Sequence, residues 1–206
     1  MLGGFAAVNV AMWGTLLTWS STPQHAAQAQ QTKTTTSHSI ESTGLRTIDN
    51  RPTQLPAGPL IVEAFAPWCM YCATTARWDD VSDARWAHEH DLGFVLVDAS
   101  AAGGVGKAAQ APTLDSIVAT AQDGSRVPLA TNRAIATNLK RFQATYHLTE
   151  PIDFWTHGQA SASWHIRAFP TFLYLNAAHQ VVSTLSGYHT TAQFTAWAVS
   201  VTHNPA

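Results

Sequence analysis

Cys69-Met70-Tyr71-Cys72 holds both cysteines of this 206-residue chain, and thiols two residues apart are suited to redox exchange. If a helix starts there, both sulfurs lie on its first turn, where unpaired backbone N–H groups and the helix dipole favour negative charge. A thiolate is such a charge, so the pKa of Cys69 is expected below the free value of about 8.5. Cys69 would then attack a disulfide, and Cys72 would resolve the mixed disulfide that forms. Two blander roles compete: a structural disulfide closing one helical turn, and half of a zinc site. A zinc site needs two further ligands at suitable spacing, and the sequence has no second Cys-x-x-Cys.

The elements that must position this pair can be read around it. Leu60-Ile61-Val62-Glu63-Ala64-Phe65, entered through the turn signals Pro56-Ala57-Gly58-Pro59, reads as the central strand feeding the site. Glu63 either points to solvent from that strand or sits beneath the pair as a buried carboxylate. The helix from Cys69 is expected to run to about His90. Trp78, Val81, Arg85, Trp86 and His90 recur along it at three- and four-residue steps, while Asp79, Asp80 and Asp83 mark its polar side. His88 and His90 are two apart, share no helix face and read as a solvated helix end. Phe94 to Asp98 follows as a strand covered on both faces.

From Ala99 to Thr131 the pattern weakens. Ala101 to Lys107 is glycine-rich but misses the first-glycine spacing of a phosphate loop, and Ala108 stands where Ser or Thr would hold magnesium, so a loop is expected. Leu114 to Ala121 fits a strand or a helix. Ala134, Ile135, Leu139, Phe142 and Tyr146 give a helix from Asn132 to His147, and Ile152 to Trp155 a strand. A short helix from Gln159 to Ile166 leads to Phe169-Pro170-Thr171. The strand Phe172 to Leu175, a turn at 176–180 and its hairpin partner Val181 to Leu185 come next, then a closing helix from about Thr190 to Val201.

Two segments in this order, Phe65-Ala66-Pro67-Trp68-Cys69-Met70-Tyr71-Cys72 and Trp164-His165-Ile166-Arg167-Ala168-Phe169-Pro170-Thr171-Phe172-Leu173-Tyr174-Leu175, resemble the thioredoxin superfamily. The long insert between them is similar to secreted, membrane-linked members of the TlpA, ResA and DsbE kind, and the resemblance runs from about Leu45 to Val201. It implies an α/β thioredoxin-like fold: a central mixed sheet of four to five strands, helices on both faces and an insertion at about 99–157. It implies that Cys69 attacks, Cys72 resolves, Glu63 shuttles the proton of the resolving thiol, and Trp68 shields the pair. Phe169 and Pro170, joined by a cis bond, would dock the substrate backbone. No metal or organic cofactor is implied.

The resemblance makes protein disulfides or thiols the substrates, with reduction as the direction and a membrane thiol transporter as electron donor. Met70-Tyr71 matches neither the Gly-Pro of thioredoxin nor the Pro-His of the strong oxidant, so an oxidase or isomerase stays open. So do a copper- or haem-pathway thiol chaperone, which would use the thiolates as soft ligands, and a non-catalytic binding module. The chain departs from the family where Ala73-Thr74-Thr75-Ala76 lacks the usual kinking proline and where Phe169 is bulkier than the usual Ile, Val or Thr.

Composition and the first residues set the surroundings. Apolar residues make up 46% of the chain, with eight Trp and eight Phe, enough for a real core. Net charge is −2 and only 12% of residues are charged, which leaves no basic footprint for nucleic acid. Phe5 to Trp19 is an uncharged apolar run of signal-peptide length, Pro23 breaks it, and Ala27-Gln28-Ala29 suggests cleavage before Gln30. No Lys or Arg precedes the run, so an uncleaved N-terminal anchor is the alternative. Either version gives a periplasmic or secreted domain at 45–206, behind a flexible linker at 30–44 of mostly Gln, Thr and Ser.

Overall fold

A seven-stranded mixed sheet organises the computed structural model, which describes residues 30–32, 39–40, 44–100, 109–111, 122–124, 126, 129, 131–156 and 164–203. Its strands are β1 (Gln30–Thr32), β2 (Leu45–Thr47), β3 (Leu60–Phe65), β4 (Gly93–Asp98), β5 (Ile152–Trp155), β6 (Thr171–Leu175) and β7 (Val181–Ser186). The described helices are α1 (Met70–Trp78), α2 (Asp80–Glu89), α3 (Asn132–Tyr146) and α4 (Thr191–His203). Across the sheet the order is β1-β7-β6-β3-β4-β5-β2. β3, β4 and β5 run parallel, and β6 and β7 form an antiparallel hairpin against β3. This is a thioredoxin-like arrangement, with the Cys-x-x-Cys segment at the C-terminal end of β3, where β6 lies directly alongside.

The five inner strands are those expected from the sequence; the edges add two. One is β2, and the other, Gln30–Thr32, falls in the stretch expected to be a flexible linker. It pairs antiparallel with β7, Gln30 opposite Ser186, and further along Ile40 donates to His179 O at 2.9 Å and is buried. An edge strand is held by main-chain hydrogen bonds to its single neighbour, so polar residues suffice and no apolar pattern announces it.

β3 is buried along its whole length because both faces are covered. Side chains alternate across a strand, so Ile61, Glu63 and Phe65 face one way and Leu60, Val62 and Ala64 the other. The first face carries residues of all four described helices, among them Ala76, Ala84, Leu139, Phe142, Phe194 and Trp197. The second is packed, among the described residues, by strands and connecting segments such as Leu55 and Trp164. Helices were expected on both faces. The short helix expected at 159–166 lies largely outside the described residues, and Trp164 and His165 form a turn.

The single helix expected from Cys69 to His90 is two helices broken at Asp79. Asp79 has φ −118° and ψ −43°. Its N–H still bonds Thr75 O at 2.8 Å, while its own carbonyl starts α2 by accepting from Ser82 and Asp83. Thr74 and Thr75 turn their hydroxyls back onto Met70 O and Tyr71 O at 2.8 and 3.0 Å, a bonding pattern that bends helices. These two threonines occupy the stretch where a kinking proline is usual, and they supply another route to a bend.

The break rephases α2. Asp80, Asp83, Ala84 and Ala87 face the sheet, and Val81 is exposed, so the face expected to be polar is the buried one. The remaining elements lie where the sequence put them to within a residue or two. The glycine-rich loop at 101–107, the 114–121 segment and the apolar N-terminal run fall outside the described residues. No described helix is long and apolar enough to cross a membrane.

Candidate functional site

The two thiols occupy different environments one helical turn apart. Cys69 sits just before α1 in extended geometry (φ −84°, ψ 124°), and Cys72 lies in the first turn; both are free thiols. The Cys69 thiol donates to Phe169 O at 3.5 Å, which sets the first cysteine against the cis Phe169–Pro170 bond preceding β6. Cys72 is almost wholly buried, and its sulfur accepts from Ala66 N–H at 3.5 Å.

These positions split the two acidities. The Cys69 thiol is held below the ordinary thiol value, first because Cys72 donates a hydrogen bond to its sulfur and then through N–H groups of Cys72 and Tyr71, with burial opposing. Burial pushes Cys72 well up, helped by the bond it gives Cys69 and by the charges of Cys69 and Glu63. One sulfur is prepared to be a thiolate and the other to keep its proton, the division of labour that attack and resolution require.

Trp68, the residue before Cys69, is held from several sides. Its ring meets Phe169 edge to face at 5.8 Å, and the Arg126 guanidinium lies 4.0 Å from the ring centroid on an exposed side chain. Gly124 N–H bonds Trp68 O at 2.6 Å, and Asp123 Oδ1 accepts from Met70 N–H at 2.9 Å, at the open N-terminus of α1. Asp123, Gly124 and Arg126 of the weakly patterned insert thus form a strap against the Cys-x-x-Cys turn. Asp123 and Arg126 went unnoticed in the sequence, where neither has any periodic or spacing relation to the cysteines.

Glu63 takes the buried alternative. It is 1% exposed, on the face of β3 shared by Ile61 and Phe65, beneath the cysteines. Burial holds it protonated well above the usual carboxylate range, reinforced by Asp80, Asp83 and Cys69. Around it lie two aspartates that the sequence put on a polar helix face and a histidine that it did not single out: Asp80 is 1% exposed, and Asp83 and His189 not at all. Asp83 Oδ2 and His189 Nε2 are 3.1 Å apart. Asp79 caps α4, accepting from Thr191 N–H at 2.9 Å and from its hydroxyl at 3.2 Å. A signal was present in the sequence: Asp80 and Asp83 recur at helical steps with Ala76, Ala84 and Ala87, a line of small residues able to lie close on a sheet.

No protein-family model and no curated protein matches the chain. Among solved structures it is similar to a secreted Mycobacterium tuberculosis disulfide oxidoreductase homologous to E. coli DsbE, with 15% identity, TM-score 0.47 and coverage of 75% of this chain and 92% of the other. It is also similar to StoA from Bacillus subtilis, at 17% identity and TM-score 0.48 over 81% of this chain and 99% of that one. The N-terminal domain of PilB from Neisseria gonorrhoeae is a third, at 17% identity and TM-score 0.49 over 82% and 93% of the two chains.

Proposed function

We propose that this protein is an extracytoplasmic thiol–disulfide oxidoreductase that reduces protein disulfides through Cys69 and Cys72. The observation that carries the proposal is the unequal pair: Cys69 at the helix start with a lowered pKa against Phe169 O, and Cys72 buried with a raised one. The Cys69 thiolate attacks a substrate sulfur, forming a mixed disulfide and expelling the first substrate thiolate, which takes a proton from water. Cys72 then passes its proton to Glu63, which gives up the proton that it already held, and Cys72 attacks Cys69 Sγ. The intramolecular disulfide forms, and the second substrate thiolate leaves. Trp68 and Phe169 cover the pair, and the backbone at Phe169-Pro170 docks the substrate chain.

Reduction is favoured over oxidation by what surrounds Cys69. Strong oxidants owe their potential to a stabilised thiolate, whereas here burial and the negative charge of Asp123 by the helix start partly offset the lowering of the Cys69 pKa. A thiolate stabilised only in part leaves the disulfide the more stable form. Each cycle oxidises the pair, so an oxidising compartment requires resupply of two electrons, for which a membrane thiol donor is suited. Residues 1–29 are assigned as the export signal or anchor, and the catalytic domain expected at 45–206 is taken to start at β1, Gln30–Thr32, which pairs with β7.

Cys72→Ser should accumulate a covalent complex with substrate proteins that reductant dissolves, and Cys69→Ser should abolish exchange with insulin or a mixed-disulfide peptide. Unimpaired exchange by Cys69→Ser would make the pair structural and the domain a binding module.

A further inference from the structure

Buried carboxylates are held neutral or paired, because an isolated buried charge is costly. Behind Cys72 three of them, Glu63, Asp80 and Asp83, share one dry face with His189. Glu63 and Asp80 are close enough to act on one another, the neighbouring carboxyl raising Glu63 and lowering Asp80, as two carboxyl groups sharing a proton would. No donor among the described residues reaches either oxygen of Asp80 or Oε2 of Glu63, so these buried oxygens have only one another's carboxyl groups to share a proton with. His189 Nδ1 lies 3.4 Å from Gly187 O, a carbonyl that can only accept, which puts a hydrogen on Nδ1. The 3.1 Å contact between His189 Nε2 and Asp83 Oδ2 therefore holds a proton of its own. The site carries two protonated pairs in series, the first of them under the resolving thiol. These groups are not arranged as metal donors: among the described residues no three His, Cys, Asp or Glu side chains converge as an ion would require.

We infer that Asp80 is the proton-relay partner of Glu63, taking the Glu63 proton as Glu63 takes that of the Cys72 thiol, with the Asp83–His189 pair holding Asp80 against it. This rests on Cys72 being the resolving thiol. In the step, the S–H bond of Cys72 breaks and a Glu63 O–H bond forms. The proton that Glu63 already held moves to Asp80, so a pair with one proton becomes a pair with two. Cys72 Sγ meanwhile forms its bond to Cys69 Sγ, and the electron pair of the broken mixed disulfide leaves on the substrate sulfur. On re-reduction of the pair the proton returns. Asp80 touches no substrate and acts through Glu63.

The other titratable groups on this face are Asp79, bound to Thr191, Asp98, bound to Ser100 at 2.7 Å, Tyr174 on β6, and Tyr71 on α1 and Tyr146 on α3 packed at its margin. Asp83 adds its charge to Asp80 and is offset by His189.

The test is stopped-flow reaction of the reduced full chain with Ellman's reagent across pH. The first thionitrobenzoate released reports Cys69 attack, and the second reports resolution by Cys72. Asp80→Asn removes the negative neighbour of Glu63, so Glu63 deprotonates at lower pH and becomes a weaker base. The rising limb of the second phase should move to lower pH and its plateau should fall about tenfold, since general-base efficiency follows basicity; the first phase should be unchanged. Asp98→Asn should move neither phase. An Asp80→Asn second phase that superimposes on that of the unaltered protein would overturn the inference.

Release of one equivalent by the unaltered protein would instead overturn the oxidoreductase reading beneath it. Should Asp80→Asn fail to fold, the unaltered protein decides by oxidised-minus-reduced infrared spectroscopy. Paired changes of two carboxylic-acid stretches at neutral pH support the relay, and a single changed stretch or none contradicts it.

Discussion

At the scale of single residues, burial does most of the chemistry. Glu63, Asp80, Asp83 and Cys72 are each raised first by loss of water, and charges and hydrogen bonds then sort them into pairs. Removing one member of a buried pair leaves the other uncompensated, so His189→Ala should destabilise the fold by about 3–5 kcal/mol, read as the urea unfolding midpoint. A loss of under about 1 kcal/mol, the range of an exposed pair, would mean that Asp83 does not depend on its partner. Phe169 acts by size. Its ring closes edge to face on Trp68 beside the attacking sulfur, so Phe169→Thr should open the groove and raise exchange with bulky mixed disulfides about tenfold over small ones. An unchanged ratio across several substrates would remove Phe169 from any part in selection.

At the scale of elements, the site exists because three pieces meet at one end of the sheet: the start of α1, the segment entering β6 and the strap of Asp123, Gly124 and Arg126. The first two were legible in the sequence because each carries a motif, and the strands behind them because fully covered strands are continuous apolar runs. The strap was not, since its contacts to Trp68 and Met70 are a backbone bond, a single carboxylate and a cation over a ring. Nor was the true face of α2. Val81 and Trp86 suggested an apolar stripe, but the break at Asp79 resets the helix, and aspartates are tolerated inside because Glu63 and His189 partner them. Asp123→Asn keeps an acceptor for Met70 N–H while removing the charge. The Cys69 pKa should then fall further, shifting the pH midpoint of Cys69 alkylation by iodoacetamide downward. An upward shift would show that the strap acts by holding geometry and not by charge.

At the scale of the whole molecule, six buried carboxyl groups, Glu63, Asp79, Asp80, Asp83, Asp98 and Asp153, are all raised above their ordinary values, Asp98 to about 7 and Asp153 to about 6. Raised carboxyls make the folded chain bind more protons than the unfolded chain between the ordinary value of 3.8 and these higher values. Stability should therefore fall as pH rises through that window, the reverse of a protein held by paired surface carboxylates. Urea midpoints should be higher at pH 5 than at pH 8, and the difference should shrink in Asp98→Asn; a midpoint that rises toward pH 8 would contradict the upward shift of these groups in the fold. The same dry, acidic interior keeps Cys72 protonated until it is needed. The claim that the cysteines are a reducing redox pair is tested most directly by titrating the Cys69–Cys72 disulfide in glutathione buffers. A single two-electron transition near the roughly −270 mV of thioredoxin is the expected result, whereas a value near the roughly −120 mV of a strong periplasmic oxidant would contradict the direction assigned to the protein.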